Sequence, residues 1–161
     1  MAYSVEWKDD CVHMLDQRLL PREERYVDLH TAEDVAAAIR NMTVRGAPAI
    51  GVAAGYGVVL AARHGDRDAV LRAIELLGST RPTAVNLFRA LKRMNQALSD
   101  NPQELYSDLL AQARRIHQDE IDACNHICRL GASLIPAGAT VLTHCNAGAI
   151  ATAASGTAVG A

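Results

Sequence analysis

Hydrophobic positions along the chain first alternate and then fall into helical spacing. Val5 to Trp7 and Cys11 to Leu15, separated by the polar Lys8-Asp9-Asp10, read as two short strands joined by a turn. From Leu19-Leu20-Pro21 through Tyr26-Val27-Asp28-Leu29 the chain crosses, in irregular or short extended structure, to a first helix. Thr31 suits its N-cap and Asp34 completes a capping box, with Val35, Ala38 and Ile39 on one face and an end near Met42. A second helix runs from Pro48 to about Arg63. A third spans about Asp66 to Leu77, with Val70, Leu71, Ile74 and Leu77 inward. Pro82 opens a fourth, whose apolar positions are Val85, Phe88, Leu91, Met94 and Leu98. After Asn101-Pro102 a helix, with or without a break, reaches about Leu134 on one stripe formed by Leu105, Leu109, Ala113, Ile116, Cys124, Ile127 and Gly131. Glu120 falls on that stripe where an apolar residue is due; a bend or a solvated stretch accounts for it more simply than a catalytic carboxylate. Ile135-Pro136-Ala137-Gly138-Ala139 ends the helix, and Thr140 to His144 reads as a buried strand leading into a helix of small residues.

Two junctions in this pattern carry chemistry. In Arg45-Gly46-Ala47-Pro48, proline suits the start of a helix because its missing N–H would have no intrahelical partner, so the preceding residues form a turn at a helix N-terminus. Gly46 lets backbone approach a ligand and Arg45 adds a fork of donors, which together resemble an anion cradle. Arg81-Pro82-Thr83-Ala84 repeats the device, and two such prongs fit one phosphate. The alternative is that each arginine caps a neighbouring helix C-terminus or pairs with an acid. Gly51, Gly55 and Gly57 in the second helix each cost about 1 kcal/mol relative to alanine, which close approach of another backbone or of a ligand explains, and tight helix packing alone explains about as well.

A third feature is Cys145, set where the expected strand gives way to the last helix. Ligands collect at the carboxyl ends of strands in open α/β sheets, and a helix N-terminus there favours thiolate over thiol. The other cysteines are Cys11, Cys124 and Cys128, and free thiols are expected throughout. Cys124 and Cys128, one turn apart with His126 between them, do not continue into a second ligand pair at zinc-like spacing, and no metal is assigned.

Composition narrows the class. Half of the 161 residues are apolar, and 16 basic against 18 acidic residues leave a formal charge of −2, so nothing points to nucleic acid. No apolar run reaches the ~20 residues of a membrane span, and no signal peptide is visible at the start; the expectation is a cytoplasmic protein with no membrane partner.

Arg45-Gly46-Ala47-Pro48-Ala49-Ile50-Gly51, Arg81-Pro82-Thr83-Ala84-Val85-Asn86-Leu87 and Leu142-Thr143-His144-Cys145-Asn146-Ala147-Gly148 resemble, in that order, motifs of the methylthioribose-1-phosphate isomerase family. Leu15-Asp16-Gln17 followed by Leu19-Leu20-Pro21 also looks like the opening of those enzymes. The wider family includes regulatory subunits of the translation-initiation exchange factor, and the likeness covers about the first half of a member.

The resemblance implies an aldose–ketose isomerisation, 5-methylthioribose 1-phosphate to 5-methylthioribulose 1-phosphate in methionine salvage, with no cofactor. Arg45, Gly46 and Ala47 would contact substrate, Arg81 would help hold its phosphate, and Cys145 would be catalytic. The family pairs that cysteine with an aspartate, and no acidic residue follows Cys145 here, so the 161 residues by themselves are expected to be inactive. Where the isomerases often read Ala-Thr-Ala-Gly-Tyr-Gly-Thr-Ala, this chain has Ala151-Thr152-Ala153-Ala154-Ser155-Gly156-Thr157-Ala158. A ribose-1,5-bisphosphate isomerase-like enzyme and a non-catalytic regulatory or assembly subunit are the alternatives. The expected fold is α+β: a mainly α N-terminal domain with a small β hairpin over residues 1–136, then the first β-α unit of a truncated Rossmann-like α/β domain over 137–161. Its unpaired edge and apolar faces favour a homodimer.

Overall fold

The computed structural model describes residues 3–64 and 66–161. Strands β1 (Val5–Lys8) and β2 (Cys11–Leu15) form the expected hairpin, turned by Asp9 and Asp10 at φ 47° and 57°. Two successive positive-φ residues match the right-handed twist of the paired strands. The sheet continues beyond the hairpin: Tyr26–Leu29 is a third strand, β3, antiparallel to β2. Alternation sends Val5, Trp7, Val12, Met14, Val27 and Leu29 to the core face, while His13 faces outward, with Nδ1 2.6 Å from Asp28 Oδ1.

Helix α1 (Ala32–Arg40) carries the capping box anticipated at Thr31 and Asp34. Helix α2 (Ala47–Ala61) is the centre of the molecule: every residue from Ala49 to Leu60 is buried, and α1, α3, α4, α5 and the sheet pack around it. A helix apolar all round must be covered on every side. Its glycines serve that covering: a Cβ at Gly57 would lie 3.1 Å from Val35 Cγ1, and one at Gly51 would lie 3.0 Å from the Asn86 carbonyl oxygen. A 3₁₀ turn, Ala62–His64, follows α2.

Helix α3 (Arg67–Gly78) starts at the Asp66 N-cap, whose carboxylate accepts from the N–H groups of Asp68 and Ala69. It buries Val70, Ala73 and Leu77, and Leu71, expected inward, is exposed. Helix α4 (Val85–Gln96) also departs from expectation. It begins at Val85 rather than Pro82 and buries Leu87, Ala90, Leu91 and Met94, leaving Val85 and Phe88 exposed at 76% and 45%. Its contact with α2 sets the phase, and the Val85–Phe88 side points away. Helix α5 (Pro102–Leu134) is unbroken and, at 33 residues, about 50 Å long. Leu105, Leu109, Ala113 and Ile116 are buried, but past Cys124 its apolar side is open: Ile127, Leu130 and Leu134 are exposed.

The C-terminal segment differs most from the sequence pattern. Residues 140–144 form no strand, and Val141 and Leu142 are exposed. A strand needs a neighbour for its backbone N–H and C=O groups, and among the described residues none of β1, β2 and β3 pairs with 140–144. The helix expected after Cys145 is a short piece, α6 (Ala149–Thr152), ended by Ala153 at φ 55°. The chain then folds back, with Thr157 N–H donating to the Ala147 carbonyl at 2.8 Å.

Candidate substrate-binding site

At the head of α2, Gly46 is the N-cap with φ 96°, a conformation glycine adopts without penalty, and its carbonyl accepts the Ile50 N–H at 3.0 Å. Ala47 and Pro48 follow as the first two helical residues, as the missing proline N–H favours. What Gly46 admits is protein. A Cβ there would collide with the Ala151 carbonyl oxygen and lie 2.5 Å from Ala151 Cα, so the close approach read from sequence as room for a ligand is taken by the segment bearing Cys145.

A second contact joins the same two pieces of chain. The Gln17 carboxamide nitrogen donates to the Ile150 carbonyl at 3.1 Å and reaches the Arg45 carbonyl at 3.4 Å, and Gln17 is only 4% exposed. Beyond α6 the segment is held by a half-buried relay: Tyr56 Oη lies 2.9 Å from His117 Nδ1, and His117 Nε2 lies 3.1 Å from the Ala153 carbonyl. A carbonyl only accepts, so Nε2 carries the proton, and neutral Nδ1 accepts from the Tyr56 hydroxyl. Burial supports this state, lowering the His117 pKa from its ordinary value and raising that of Tyr56 to about 12.

Cys145 itself is exposed at φ 65°, on irregular backbone before Asn146, whose Oδ1 accepts from the Gly148 N–H at 3.1 Å. A non-glycine residue in the left-handed region is uncommon, and Cys145 shares that conformation with the turn residues Asp9, Asp10, Met42 and Ala153. The four-residue α6 is too short to supply the helix-dipole activation expected from the sequence. All four cysteines are free, and exposure separates them. Cys11 and Cys124 are buried with raised pKa values, that of Cys124 to about 11 through burial and the nearby Glu120 carboxylate, whereas Cys145 is open to solvent.

Arg81 occupies a different setting. It lies in the loop before α4, where the Ala84 N–H donates back to its carbonyl at 3.1 Å, and Pro82 belongs to that turn rather than to the helix. The side chains of Arg45 and Arg81 are exposed, and among the described residues neither guanidinium makes a hydrogen bond or an ion pair. The carboxylate-pairing alternative therefore applies to neither. The Arg45 turn and the Cys145 segment are brought together directly, whereas Arg81 reaches the assembly only through the packing of α4 on α2.

Glu120 lines a cavity of about 150 Å³ beside Pro48, Gly51, Asn86 and Arg89, and burial raises its carboxyl pKa. Its place on the apolar stripe is therefore a cavity wall in an unbroken helix, with Asp119, Asp122 and Ala123 beside it exposed. Among the described residues no group of three or more His, Cys, Asp or Glu side chains gathers to hold a metal, and no helix is long and apolar enough to cross a membrane. Sequence reasoning missed Gln17 and His117 as supports, because the carbonyls they bind, those of Ile150 and Ala153, lie far along the chain.

Residues 43–159 match the Initiation factor 2 subunit family, and the chain belongs to that family. Within it, the chain is similar to proteins named as isomerases. Methylthioribose-1-phosphate isomerase of Alkalilimnicola ehrlichii is 51% identical over 164 residues, covering 98% of this chain and 47% of that protein. The putative methylthioribose-1-phosphate isomerase of Methanocaldococcus jannaschii is 48% identical over 157 residues, with coverages of 96% and 46%. The crystal structure of 5-methylthioribose 1-phosphate isomerase from Pyrococcus horikoshii matches with a TM-score of 0.90 at 41% identity, over 99% of this chain and 48% of that one. Translation initiation factor eIF-2B subunit delta from A. fulgidus matches at 0.86 and 35% identity, with coverages of 99% and 49%. The chain thus spans about half the length of the relatives it matches.

Proposed function

We propose that this chain carries the phosphate cradle and the reactive thiol of an intramolecular sugar-phosphate isomerase that converts 5-methylthioribose 1-phosphate to 5-methylthioribulose 1-phosphate in methionine salvage. The observation that carries the proposal is the junction of Gly46 with Ala151, reinforced by Gln17, which places an unpaired arginine turn beside the segment bearing the exposed cysteine. Similarity to the named isomerases supplies the substrate class.

In this proposal Arg45 and Ala47 contact substrate, Gly46 sets the turn that presents them against the Ala151 segment, and Arg81 contributes a second charge to the phosphate. A phosphate on the anomeric carbon blocks spontaneous ring opening, so the site must move protons during opening as well as carry hydrogen from C2 to C1. Cys145 takes part in that proton transfer, and no cofactor is required. Two groups are needed, an acid and a base, each worth about 10² to 10⁴-fold. No acidic residue follows Cys145 among these 161 residues, so by themselves they are expected to show no turnover in a coupled isomerase assay; turnover at the rate of a full-length relative would contradict this. Residues 137–161 would then open a second, Rossmann-like domain in which 140–144 gains strand neighbours. A cytoplasmic homodimer belongs to the same reading, supported by the exposed apolar side chains Leu130, Leu134 and Leu142.

The likeness to eIF-2B subunit delta favours one second reading, a regulatory subunit that binds without turnover. Iodoacetamide labelling of Cys145 with and without methylthioribose 1-phosphate separates the two. Protection by the sugar phosphate is expected for the isomerase site, and indifference would replace it with the regulatory reading.

A further inference from the structure

The Leu15-Asp16-Gln17 motif touches neither the phosphate cradle nor the thiol through an exposed group, yet it stands where the two meet. We infer that Gln17 is a positioning residue, whose one carboxamide sets the Arg45 turn against the segment carrying Cys145. The proposal rests on the isomerase reading for its substrate, while the clamp itself is a matter of geometry.

The root of the side chain is fixed on both sides. The Gln17 N–H donates to the Thr43 carbonyl at 2.9 Å and the Asp16 N–H donates to the Arg25 carbonyl at 2.8 Å. Arg18 grips the Asp16 carboxylate with Nε at 2.8 Å and a terminal nitrogen at 2.7 Å, which holds that acid below the usual carboxylate range. From that anchored backbone, one amide nitrogen with two hydrogens serves two carbonyls, those of Arg45 and Ile150. Both acceptors are carbonyl oxygens, so the amide has one workable orientation: flipped, its own oxygen would face two others. Arg45 and Cys145 are both exposed, while Gln17 and the Gly46–Ala151 contact tie the Arg45 backbone to residues 150 and 151, five and six positions past Cys145. Loss of the donor leaves two carbonyls facing a buried space, and the α6 segment is the less supported of the two partners.

The test uses the 161-residue chain with Gln17→Glu, which puts acceptors where the donor stood, and Gln17→Met, which keeps the size and removes the polarity without adding charge. Two readouts are taken: amide hydrogen exchange across residues 147–153 compared with α2, and the concentration of methylthioribose 1-phosphate that protects Cys145 from iodoacetamide. With Gln17→Glu, exchange in 147–153 is expected to rise about tenfold with α2 unchanged, and the protecting concentration to rise by about tenfold. Gln17→Met should shift both in the same direction by a few-fold. Unchanged exchange in 147–153 for both variants, or protection of Cys145 undiminished in both, would overturn the role of Gln17. Absence of protection in the unmodified chain overturns the isomerase reading instead, and the exchange data then still decide whether the clamp exists.

Discussion

At Arg45 the chain turns through a left-handed glycine directly into α2, whereas at Arg81 it makes a separate turn, and Pro82, Thr83 and Ala84 pass before α4 begins at Val85. The first junction is crossed by other chain: Ala151 lies on Gly46, and Gln17 binds the carbonyls of Arg45 and Ile150. The second is held by a local bond between the Ala84 N–H and the Arg81 carbonyl. The Arg45 backbone is therefore held against the segment bearing Cys145, while Arg81 keeps the freedom of a surface turn. In the proposed isomerase site both would serve, Arg45 as the contact that sets where the phosphate lies and Arg81 as one that closes on it.

Substitution at the two turns gives the sharpest contrast. Gly46→Ala places a Cβ against Ala151 and forces a side-chain residue to φ 96°, so denaturant unfolding should show a loss of about 2–4 kcal/mol. Pro82→Ala, in the turn before α4, should stay within about 0.5 kcal/mol. Equal losses at the two positions would remove the contrast.

Smaller effects are expected from the relay that supports the Cys145 segment from behind. Tyr56→Phe leaves His117 Nδ1 buried without its donor and should cost about 1–2 kcal/mol. The same relay gives a pH dependence. Burial depresses the His117 pKa below its ordinary 6.5, so as pH falls through that value the unfolded chain takes up a proton before the folded one does. Stability is complete above about pH 6.5 and declines as pH falls toward the folded-state value. Thermal melts between pH 7 and pH 5 should show the decline, and His117→Gln, which retains a donor toward Ala153, should lessen it. Smallest is Glu120→Gln. Burial raises the Glu120 pKa, so its ionised form opposes folding at neutral pH, and the amide should raise the melting temperature by about 1–3 °C. A fall would mean that the carboxylate is held by a favourable partner.

Legibility in the sequence followed the range of the interactions. The Thr31–Asp34 capping box, the β1–β2 hairpin and the proline near the start of α2 depend on residues a few positions apart, and each is present. Leu71, Val85 and Phe88 were placed inward because helical spacing fixes a stripe only to within a neighbouring position; the contacting helix then chooses the phase. Strand character at 140–144 was readable in the side chains, but a strand exists only with a ladder partner, and none pairs with it here. Gln17 and His117 carry no local signal because their partners, Ile150 and Ala153, lie far along the chain. Gly46 was legible as a point of close approach; the sequence pattern does not say whether a ligand or Ala151 does the approaching.

The central claim is that the rigid and the adjustable arginine serve the same anion beside Cys145. Its most direct test is the concentration of methylthioribose 1-phosphate that protects Cys145 from alkylation in Arg45→Ala and Arg81→Ala. The account predicts that each substitution raises that concentration by at least about tenfold, the scale of a lost charge-assisted contact. Protection undiminished by Arg81→Ala while Arg45→Ala abolishes it would contradict a shared phosphate.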